Sequence, residues 1–96
     1  MSSYLIEYRP EINDDLDRIP RNIQARIKNA SEQRLETIPD RYGERLRRSL
    51  IGLWKLRVGD YRIVYEIKGQ KVTVWIIAHR KDVYEEMEKR WAKHKS

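Results

Sequence analysis

Residues 53–84 read LWKLRVGDYRIVYEIKGQKVTVWIIAHRKDVY, and this stretch decides the fold. Three runs of alternating or apolar residues are separated by two short breaks, Gly59-Asp60 and Gly69-Gln70. A glycine at the first central position is typical of a two-residue type II′ hairpin turn. The pattern therefore predicts an antiparallel meander of three strands that leads into a helix.

The two predicted turns determine which residues face each other, because antiparallel partners are counted outward from the loop. The pairs predicted for the first hairpin are Arg57 with Arg62, Leu56 with Ile63, Lys55 with Val64, and Trp54 with Tyr65. For the second hairpin, an uninterrupted count predicts Tyr65 with Val74, Val64 with Trp75, Ile63 with Ile76, and Arg62 with Ile77.

Side chains alternate along a strand, so this register divides the meander into two faces. The first face is wholly apolar, which suits a sheet that helices cover. Its predicted members are Trp54, Leu56, Val58, Tyr61, Ile63, Tyr65, Ile67, Val72, Val74, Ile76 and Ala78. The second face mixes cations with aromatic and apolar groups. Its predicted members are Leu53, Lys55, Arg57, Arg62, Val64, Glu66, Thr73, Trp75, Ile77 and His79.

On the second face, Arg57 and Arg62 are predicted to lie directly opposite each other. Like charges in this position destabilise a sheet, and a bound anion would relieve the repulsion. A basic face that is simply solvated explains the composition equally well. The pair therefore predicts either an anion-binding site or a solvated surface.

Length and composition limit the class of protein. The chain has 96 residues, which suits one domain, 1–96, with a single core. Its net charge of +6 favours a polyanionic partner, nucleic acid first and an acidic protein second. Cysteine is absent, which excludes disulfides, thiolate metal sites and a cysteine nucleophile. His79 and His94 are far apart in sequence, so we expect neither a metal nor a cofactor.

The sequence shows no sign of a membrane protein. The first ten residues lack the cationic and apolar regions of a signal peptide, and no apolar run approaches membrane-spanning length. We therefore expect a cytoplasmic protein with no membrane partner.

The segments before the meander predict an edge strand and a helical hairpin. Residues 4–9 (YLIEYR) alternate weakly and end at Pro10, as an edge strand would. Apolar positions at helical spacing then predict a short helix before Pro20 and a longer one over residues 21–38. Their joined apolar stripes are the expected cover for the apolar face of the sheet.

Residues 40–52 (DRYGERLRRSLIG) form a basic connector between the helical hairpin and the meander. Arg45, Arg47 and Arg48 are candidates for the rim of an anion-binding site. A charge run of this kind is more often simply solvated.

A terminal helix is predicted after the meander, because Asp82 is a suitable N-cap with Glu85 three residues later. The apolar stripe that docks on the sheet is predicted to contain Val83 or Tyr84, Met87 and Trp91. Trp75 is expected beneath this helix, and the polar end AKHKS is expected to fray. The predicted fold is an α+β domain with a helical hairpin on a four-stranded, mainly antiparallel sheet and a short C-terminal helix.

The segment KLRVGDYRIVYEI, followed by VWIIAHRKDVY, resembles the hallmark region of the RelE/ParE toxin superfamily. The resemblance covers nearly the whole chain and implies the toxin of a type II toxin–antitoxin system. RelE-like members are metal-independent endoribonucleases that cut mRNA in the decoding site of the ribosome. The implied partners are mRNA, the 30S subunit with its 16S rRNA, and a cognate antitoxin in a heteromeric complex that keeps the toxin inactive. ParE-like members share the fold but act on DNA gyrase.

The resemblance also implies roles for individual residues. Lys55 falls on one of two lysines that RelE-like nucleases place in this strand, whereas Leu53 occupies the other position. Arg62 falls on the arginine that contacts the scissile phosphate, and Arg80 on the arginine that stabilises the transition state. Tyr84 falls on the tyrosine that stacks on or orients the substrate base.

The chemistry of metal-free RNA cleavage asks for the same residue types. The 2′-hydroxyl attacks the phosphate, so the protein must accept a proton and stabilise a developing dianion. Arginine stays protonated and binds two phosphate oxygens, which suits Arg62 and Arg80. Lys55 is the candidate base because cationic neighbours favour its neutral amine, and His79 competes for this role. The candidate substrate-binding residues are Arg57, His79, Arg45 and Arg48.

Two other functions stay open at this point. One is a ParE-like inhibitor of DNA gyrase without nuclease activity. The other is an inactive relative that only binds an antitoxin, which the Leu53 substitution allows. Lys55, Arg62, Arg80 and Tyr84 occur together, and this combination favours the nuclease. In each case we expect an antitoxin whose acidic or amphipathic segment covers the basic face or displaces the terminal helix.

Overall fold

The computed structural model of the protein describes residues 3–95. The chain begins with strand β1 (Leu5–Tyr8), followed by helices α1 (Ile12–Asp17) and α2 (Arg21–Ala30). One π-helical turn, Ser31–Leu35, extends α2, so the predicted long helix ends before Ile38. The predicted edge strand and helical hairpin are therefore confirmed.

The connector contains helix α3 (Pro39–Tyr42), strand β2 (Glu44–Arg45) and a 3-10 turn (Arg48–Leu50). The meander and terminal helix then follow as β3 (Trp54–Val58), β4 (Tyr61–Lys68), β5 (Lys71–His79) and α4 (Val83–Lys95). Residues 92–95 of the segment that was expected to fray belong to α4, and Ser96 lies outside the described residues. Among residues 3–95, no helix is long and apolar enough to cross a bilayer.

The strands form one sheet in the order β1-β5-β4-β3-β2. Strand β1 pairs with β5 in parallel, and all other pairs are antiparallel. The α+β fold is confirmed, with five strands instead of four. The additional strand is β2, which pairs Glu44 with Lys55 and Arg45 with Trp54.

The first hairpin has the predicted turn and register. Gly59 and Gly69 have φ angles of +60° and +58°. Within residues 3–95, Arg48 is the only non-glycine residue with a positive φ angle. Asp60 and Gln70, the second central residues of the two turns, therefore have negative φ angles. A type I′ turn is thereby excluded, since it needs positive φ at both central residues. Strands β3 and β4 then pair as predicted, including Arg57 opposite Arg62.

The second hairpin departs from the uninterrupted count. Tyr65 pairs with Val74 as predicted, but Val64 pairs with Ile76. Trp75 is therefore an extra residue, a β-bulge in β5. Alternation could not locate this bulge, because Ile76 and Ile77 are both apolar and fit either face.

The bulge changes the face of every residue of β5 after Trp75. The predicted faces of Ile76, Ala78 and Ile77 were wrong, since Ile76 and Ala78 pack on the second face and Ile77 packs on the first. His79 was also assigned to the wrong face. It pairs with Tyr61, and the two rings make an edge contact with centroids 5.5 Å apart.

Helices cover both faces of the sheet. The helical hairpin covers the first face over a core that includes Ile12, Ile27, Leu35, Ile63, Tyr65, Val72 and Ile77. Helix α4 covers part of the second face over Leu46, Leu50, Leu53, Val64, Trp75 and Ile76, using Val83, Met87 and Trp91. Trp75 lies beneath α4 as predicted, with its ring centroid 5.1 Å from that of Trp91.

A buried ion pair joins α1 to α4 beside the bulge. Arg90 donates to both carboxylate oxygens of Asp15, at 2.6 and 2.9 Å, and the Asp15 side chain is 2% exposed. The same pair binds the backbone of β5, because Arg90 also donates to the Trp75 carbonyl at 3.0 Å and the Ile77 amide donates to Asp15 at 3.1 Å. These bonds raise the pKa of Arg90, while partial burial acts in the opposite direction.

Candidate active site

Four elements bring six cationic or aromatic side chains around one open depression of about 530 Å³. The residues that line this cationic depression are Lys55, Arg57, Arg62, Arg80, Lys81 and Tyr84. Lys55 and Arg57 are two residues apart on β3, so both face the same side as Arg62 on β4. Arg80 follows Ala78 by two residues, and its amide donates to the Asp60 carbonyl at 2.8 Å. The end of β5 thereby carries Arg80 to the same side.

Arg62 is the fixed cation of the depression. It is 7% exposed, and its Nη1 donates to the carbonyls of Gly59 and Tyr61, each at 2.9 Å. Within residues 3–95, no carboxylate forms an ion pair with Arg62 or with Arg57 opposite it. A buried cation without a counter-ion is unfavourable unless an anion binds beside it. The geometry therefore favours an anionic ligand at Arg62.

Lys55 and Tyr84 form a hydrogen-bonded pair at the edge of the depression. The ammonium Nζ of Lys55 donates to Tyr84 Oη at 3.0 Å and lies 5.4 Å from the centroid of the tyrosine ring. Glu44 Oε2 is 4.0 Å from the same Nζ. Of Val83 and Tyr84, it is Val83 that is buried in the α4 stripe, which leaves Tyr84 36% exposed and available to a ligand.

Arg80 is the less constrained arginine. Its Nε lies 3.9 Å from Asp60 Oδ1, and both side chains are more than half exposed. An exposed pair of this kind contributes little to stability, so Arg80 is free to turn toward a bound anion. Lys81 is an additional cation of the depression that the sequence analysis did not select, although it directly follows Arg80.

The structure does not bring His79, Arg45 or Arg48 to the cationic depression. His79 lies on the other face because of the bulge, and its Nδ1 accepts a hydrogen bond from the Lys81 amide at 3.2 Å. Arg45 pairs with Trp54 and places its guanidinium carbon 4.9 Å from the centroid of that ring. Arg48 is exposed in the 3-10 turn beside α4.

Leu53 shows why one end of the second face is closed. It is 1% exposed and packs in the core beneath α4. Helix α4 covers this end of the face and leaves the Lys55 end open. Leu53 is therefore a core residue in this chain, and Lys55 is the lysine that β3 supplies to the depression.

The cationic depression is suited to one phosphodiester and its neighbouring base. Two arginine forks can bind phosphate oxygens from two directions, since Arg62 is held from behind by carbonyls and Arg80 approaches from the loop. Tyr84 offers a ring for stacking, and Lys55 offers an amine beside that ring.

Comparison with known proteins agrees with this fold. The sequence model of the ParE toxin of the type II toxin–antitoxin system parDE matches residues 6–84. Toxin RelG of Mycobacterium tuberculosis is 34% identical over 83 residues, and the match covers 84% of this chain and 95% of RelG. The toxin–antitoxin complex RelBE2 of Mycobacterium tuberculosis contains a chain that is 30% identical, with a TM-score of 0.76 over 81% of this chain and 99% of that chain.

More distant structures share the fold. A chain of the RelB–RelE antitoxin–toxin complex of Methanococcus jannaschii has a TM-score of 0.62 at 22% identity, covering 83% of this chain and 96% of that one. YafQ of E. coli has a TM-score of 0.60 at 15% identity, covering 84% and 98%. On the family match and the 34% identity to RelG, this chain belongs to the ParE toxin family of type II toxin–antitoxin systems, within the RelE/ParE superfamily.

Proposed function

We propose that this toxin is a ribosome-dependent endoribonuclease that cleaves mRNA in the decoding site without a metal and thereby stops protein synthesis in the cytoplasm. The observation that carries the proposal is the cationic depression, where Arg57 and Arg62 lie opposite each other with no carboxylate partner among residues 3–95. Lys55, Arg80 and Tyr84 line the same depression. This set matches the residue types that metal-free cleavage requires at a single phosphate.

Each residue has a role that follows from its geometry. Arg62, fixed by two backbone carbonyls, holds the scissile phosphate, and Arg80 closes on the charge that develops in the transition state. Lys55 accepts the proton of the attacking 2′-hydroxyl as the bond from the 2′-oxygen to phosphorus forms. The bond from phosphorus to the 5′-oxygen then breaks, and the leaving 5′-oxygen takes a proton from the water that reaches the open depression. Tyr84 stacks on a base next to the cleaved bond and holds Lys55 through its hydroxyl. Arg57 binds a second phosphate oxygen or the neighbouring phosphate.

We expect cleavage to depend on the ribosome, because the toxin itself encloses little of the RNA substrate. The cationic depression is open, so the substrate must be held in place by something besides the toxin. Arg45 and Arg48 are exposed outside the depression and are suited to the phosphates of 16S rRNA in the 30S subunit. His79 stays a candidate contact only for such an outer surface, because it does not face the scissile phosphate.

The proposal is tested by primer extension on mRNA from cells that express the toxin. New 5′ ends should appear inside translated frames, and they should disappear with Arg62→Ala and with Arg80→Ala. Lys89→Ala is the matched control, since it removes one exposed cation of α4 that does not line the depression and should leave the pattern unchanged. An unchanged mRNA pattern with the unmodified toxin, together with normal growth, would remove the nuclease assignment.

We further propose a cognate antitoxin whose acidic segment covers the cationic depression. The RelBE2 chain of Mycobacterium tuberculosis that this toxin resembles was solved as a toxin–antitoxin complex. Carboxylates can replace the phosphate between the arginines, and electrostatic steering would make the capture fast. Displacement of α4 is the less favourable route, because Arg90 anchors this helix to Asp15 in addition to its apolar stripe.

A second candidate function is inhibition of DNA gyrase. The observation that favours it is the family match itself, since the matching sequence model describes the ParE toxin. A supercoiling assay with purified gyrase separates the two functions. Inhibition of supercoiling with intact mRNA would select the gyrase inhibitor, whereas cleaved mRNA with normal supercoiling would select the nuclease.

A further inference from the structure

The bulge at Trp75 decides which side chain after β5 faces the cationic depression. In the bulged register Arg62 pairs with Ala78, so Arg80, two residues later, shares the face of Arg62. An uninterrupted register would pair Arg62 with Ile77, and His79 would take the place of Arg80. A shift of one residue therefore exchanges an arginine for a histidine beside the scissile phosphate.

Burial of apolar side chains gives little preference between these two registers. Ile76 and Ile77 lie on opposite faces and are 0% and 2% exposed. The uninterrupted register would exchange one isoleucine for the other. A strand with two apolar faces has a weakly specified register, so another interaction must select the bulge.

The ion pair of Asp15 and Arg90 makes contacts that only the bulged register offers. The Val74 carbonyl points away from β4, to the side of β5 where β1 pairs, and accepts a hydrogen bond from the Arg9 amide at 3.1 Å. In a regular strand the backbone amide and carbonyl of successive residues point to opposite sides. The backbone groups of Trp75 and Ile77 would then both point toward β4. In the structure the Trp75 carbonyl and the Ile77 amide instead face outward and bond to Arg90 and Asp15.

We infer that Asp15 and Arg90 are positioning residues for the cleavage reaction: they clamp β5 in its bulged register and thereby place Arg80 in the cationic depression. The inference rests on the proposed function of that depression. A buried ion pair often contributes little net stability compared with apolar residues of similar size, but it can specify one register among several. This toxin uses the pair to choose between two arrangements that its apolar residues cannot distinguish.

The test combines two measurements on the double variant Asp15→Leu/Arg90→Met, which replaces the pair with apolar groups of similar size. Cross-strand nuclear Overhauser effects report the register, because Arg62 contacts Ala78 in the bulged sheet and Ile77 in the uninterrupted one. A titration with inorganic phosphate, followed at the Arg80 guanidinium and the His79 ring, reports which side chain faces the anion. We expect loss of the Arg62–Ala78 effect, loss of the Arg80 response and a new response at His79.

Arg18→Gln is the matched control, because Arg18, the residue that follows α1, forms another ion pair with Glu86 of α4, at 3.6 Å, and makes no bond to β5. It should keep the native register and the Arg80 response. If the double variant does not fold, Arg90→Lys keeps the charge but lacks the fork that reaches Asp15 and Trp75 together, and it should show the same shift in part. A native set of Arg62–Ala78 effects in the folded double variant, or in Arg90→Lys, overturns the inference.

The two proposals fail in different ways. If the unmodified toxin shows no phosphate response at Arg62 or Arg80, the cationic depression is not an anion site and the proposed function loses its basis. The Overhauser effects still decide the register inference in that case, because they do not depend on RNA cleavage.

Discussion

Replacement of Arg57 by threonine should make this toxin more stable and less active at the same time. Arg57 lies opposite Arg62 and makes no hydrogen bond or ion pair with residues 3–95. Like charges directly opposite each other destabilise a sheet by roughly 0.2–1 kcal/mol, and threonine is a good strand former. For a domain of this size, that gain corresponds to a rise in Tm of about 1–8 °C.

The loss of activity should be larger than the gain in stability. A hydrogen bond to a charged group contributes about 1.5–3 kcal/mol, so removal of the Arg57 contact should weaken RNA binding by about tenfold or more. Thermal unfolding followed by circular dichroism and the concentration dependence of cleavage on programmed ribosomes measure the two effects.

Lys68→Thr is the matched control for Arg57→Thr. Lys68 lies opposite Lys71 at the other end of β4, the strand of Arg62, but each of these lysines has a carboxylate within 4 Å, at 3.9 Å for Lys68 and 3.7 Å for Lys71. Threonine at Lys68 should therefore give no comparable rise in Tm and no loss of cleavage. A lower Tm for Arg57→Thr with unchanged cleavage would show that the arginine pair is a solvated surface.

Three further predictions follow from other parts of the structure. Arg62→Ala and Arg80→Ala should each abolish growth arrest but reduce antitoxin affinity only modestly, because we expect the contacts of the antitoxin to be spread over the surface. Full toxicity in both variants would contradict the assignment of these arginines to cleavage. Asp15→Asn should lower the free energy of unfolding in urea by about 3–5 kcal/mol, because it removes the buried carboxylate that pairs with Arg90. A loss below about 1 kcal/mol would contradict this. Burial raises the pKa of Tyr65, whose neutral hydroxyl donates to the Pro39 carbonyl at 2.7 Å. The stabilisation from this neutral hydroxyl is complete below about pH 10 and is lost as the pH rises further. The stability of Tyr65→Phe should therefore fall less at alkaline pH than that of the unmodified toxin. Equal shifts of the urea midpoint for both proteins between about pH 8 and about pH 11 would argue against this.

The turns and the first hairpin could be predicted because local chemistry determines them. Gly59 and Gly69 supply the positive φ angles that a two-residue loop needs, and the count from the first loop places Arg57 opposite Arg62. The bulge could not be predicted in this way. Ile76 and Ile77 fit either face, so no polar residue marks where the alternation is interrupted.

The residue that fixes the bulge was equally hidden in the sequence. Asp15 lies in the run INDDLD, where an acidic residue is expected to face solvent. Its partner Arg90 is 75 residues away, and only the packing of α1 and α4 against β5 brings the two together. Buried ion pairs between distant segments leave no periodic signal in a single sequence.

The candidate site was predictable where strand alternation and turn geometry suffice. Lys55, Arg57 and Arg62 were placed correctly relative to each other, because all three flank the first hairpin. His79 and Arg80 lie after the bulge, so the predicted face of His79 was wrong. Arg45 could not be placed from the sequence, because the two-residue strand β2 that turns it toward Trp54 has no pattern of its own.

Single-turnover cleavage of a defined mRNA on purified, programmed ribosomes tests the central claim most directly. The unmodified toxin should cut mRNA in the decoding site, leave the same mRNA intact when it is free, and produce ends with a 2′,3′-cyclic phosphate and a 5′-hydroxyl. Arg80→Ala should slow this step by about 10²–10³-fold, the effect of removing one preorganised charge-stabilising group. Intact mRNA on ribosomes at saturating toxin would contradict the claim.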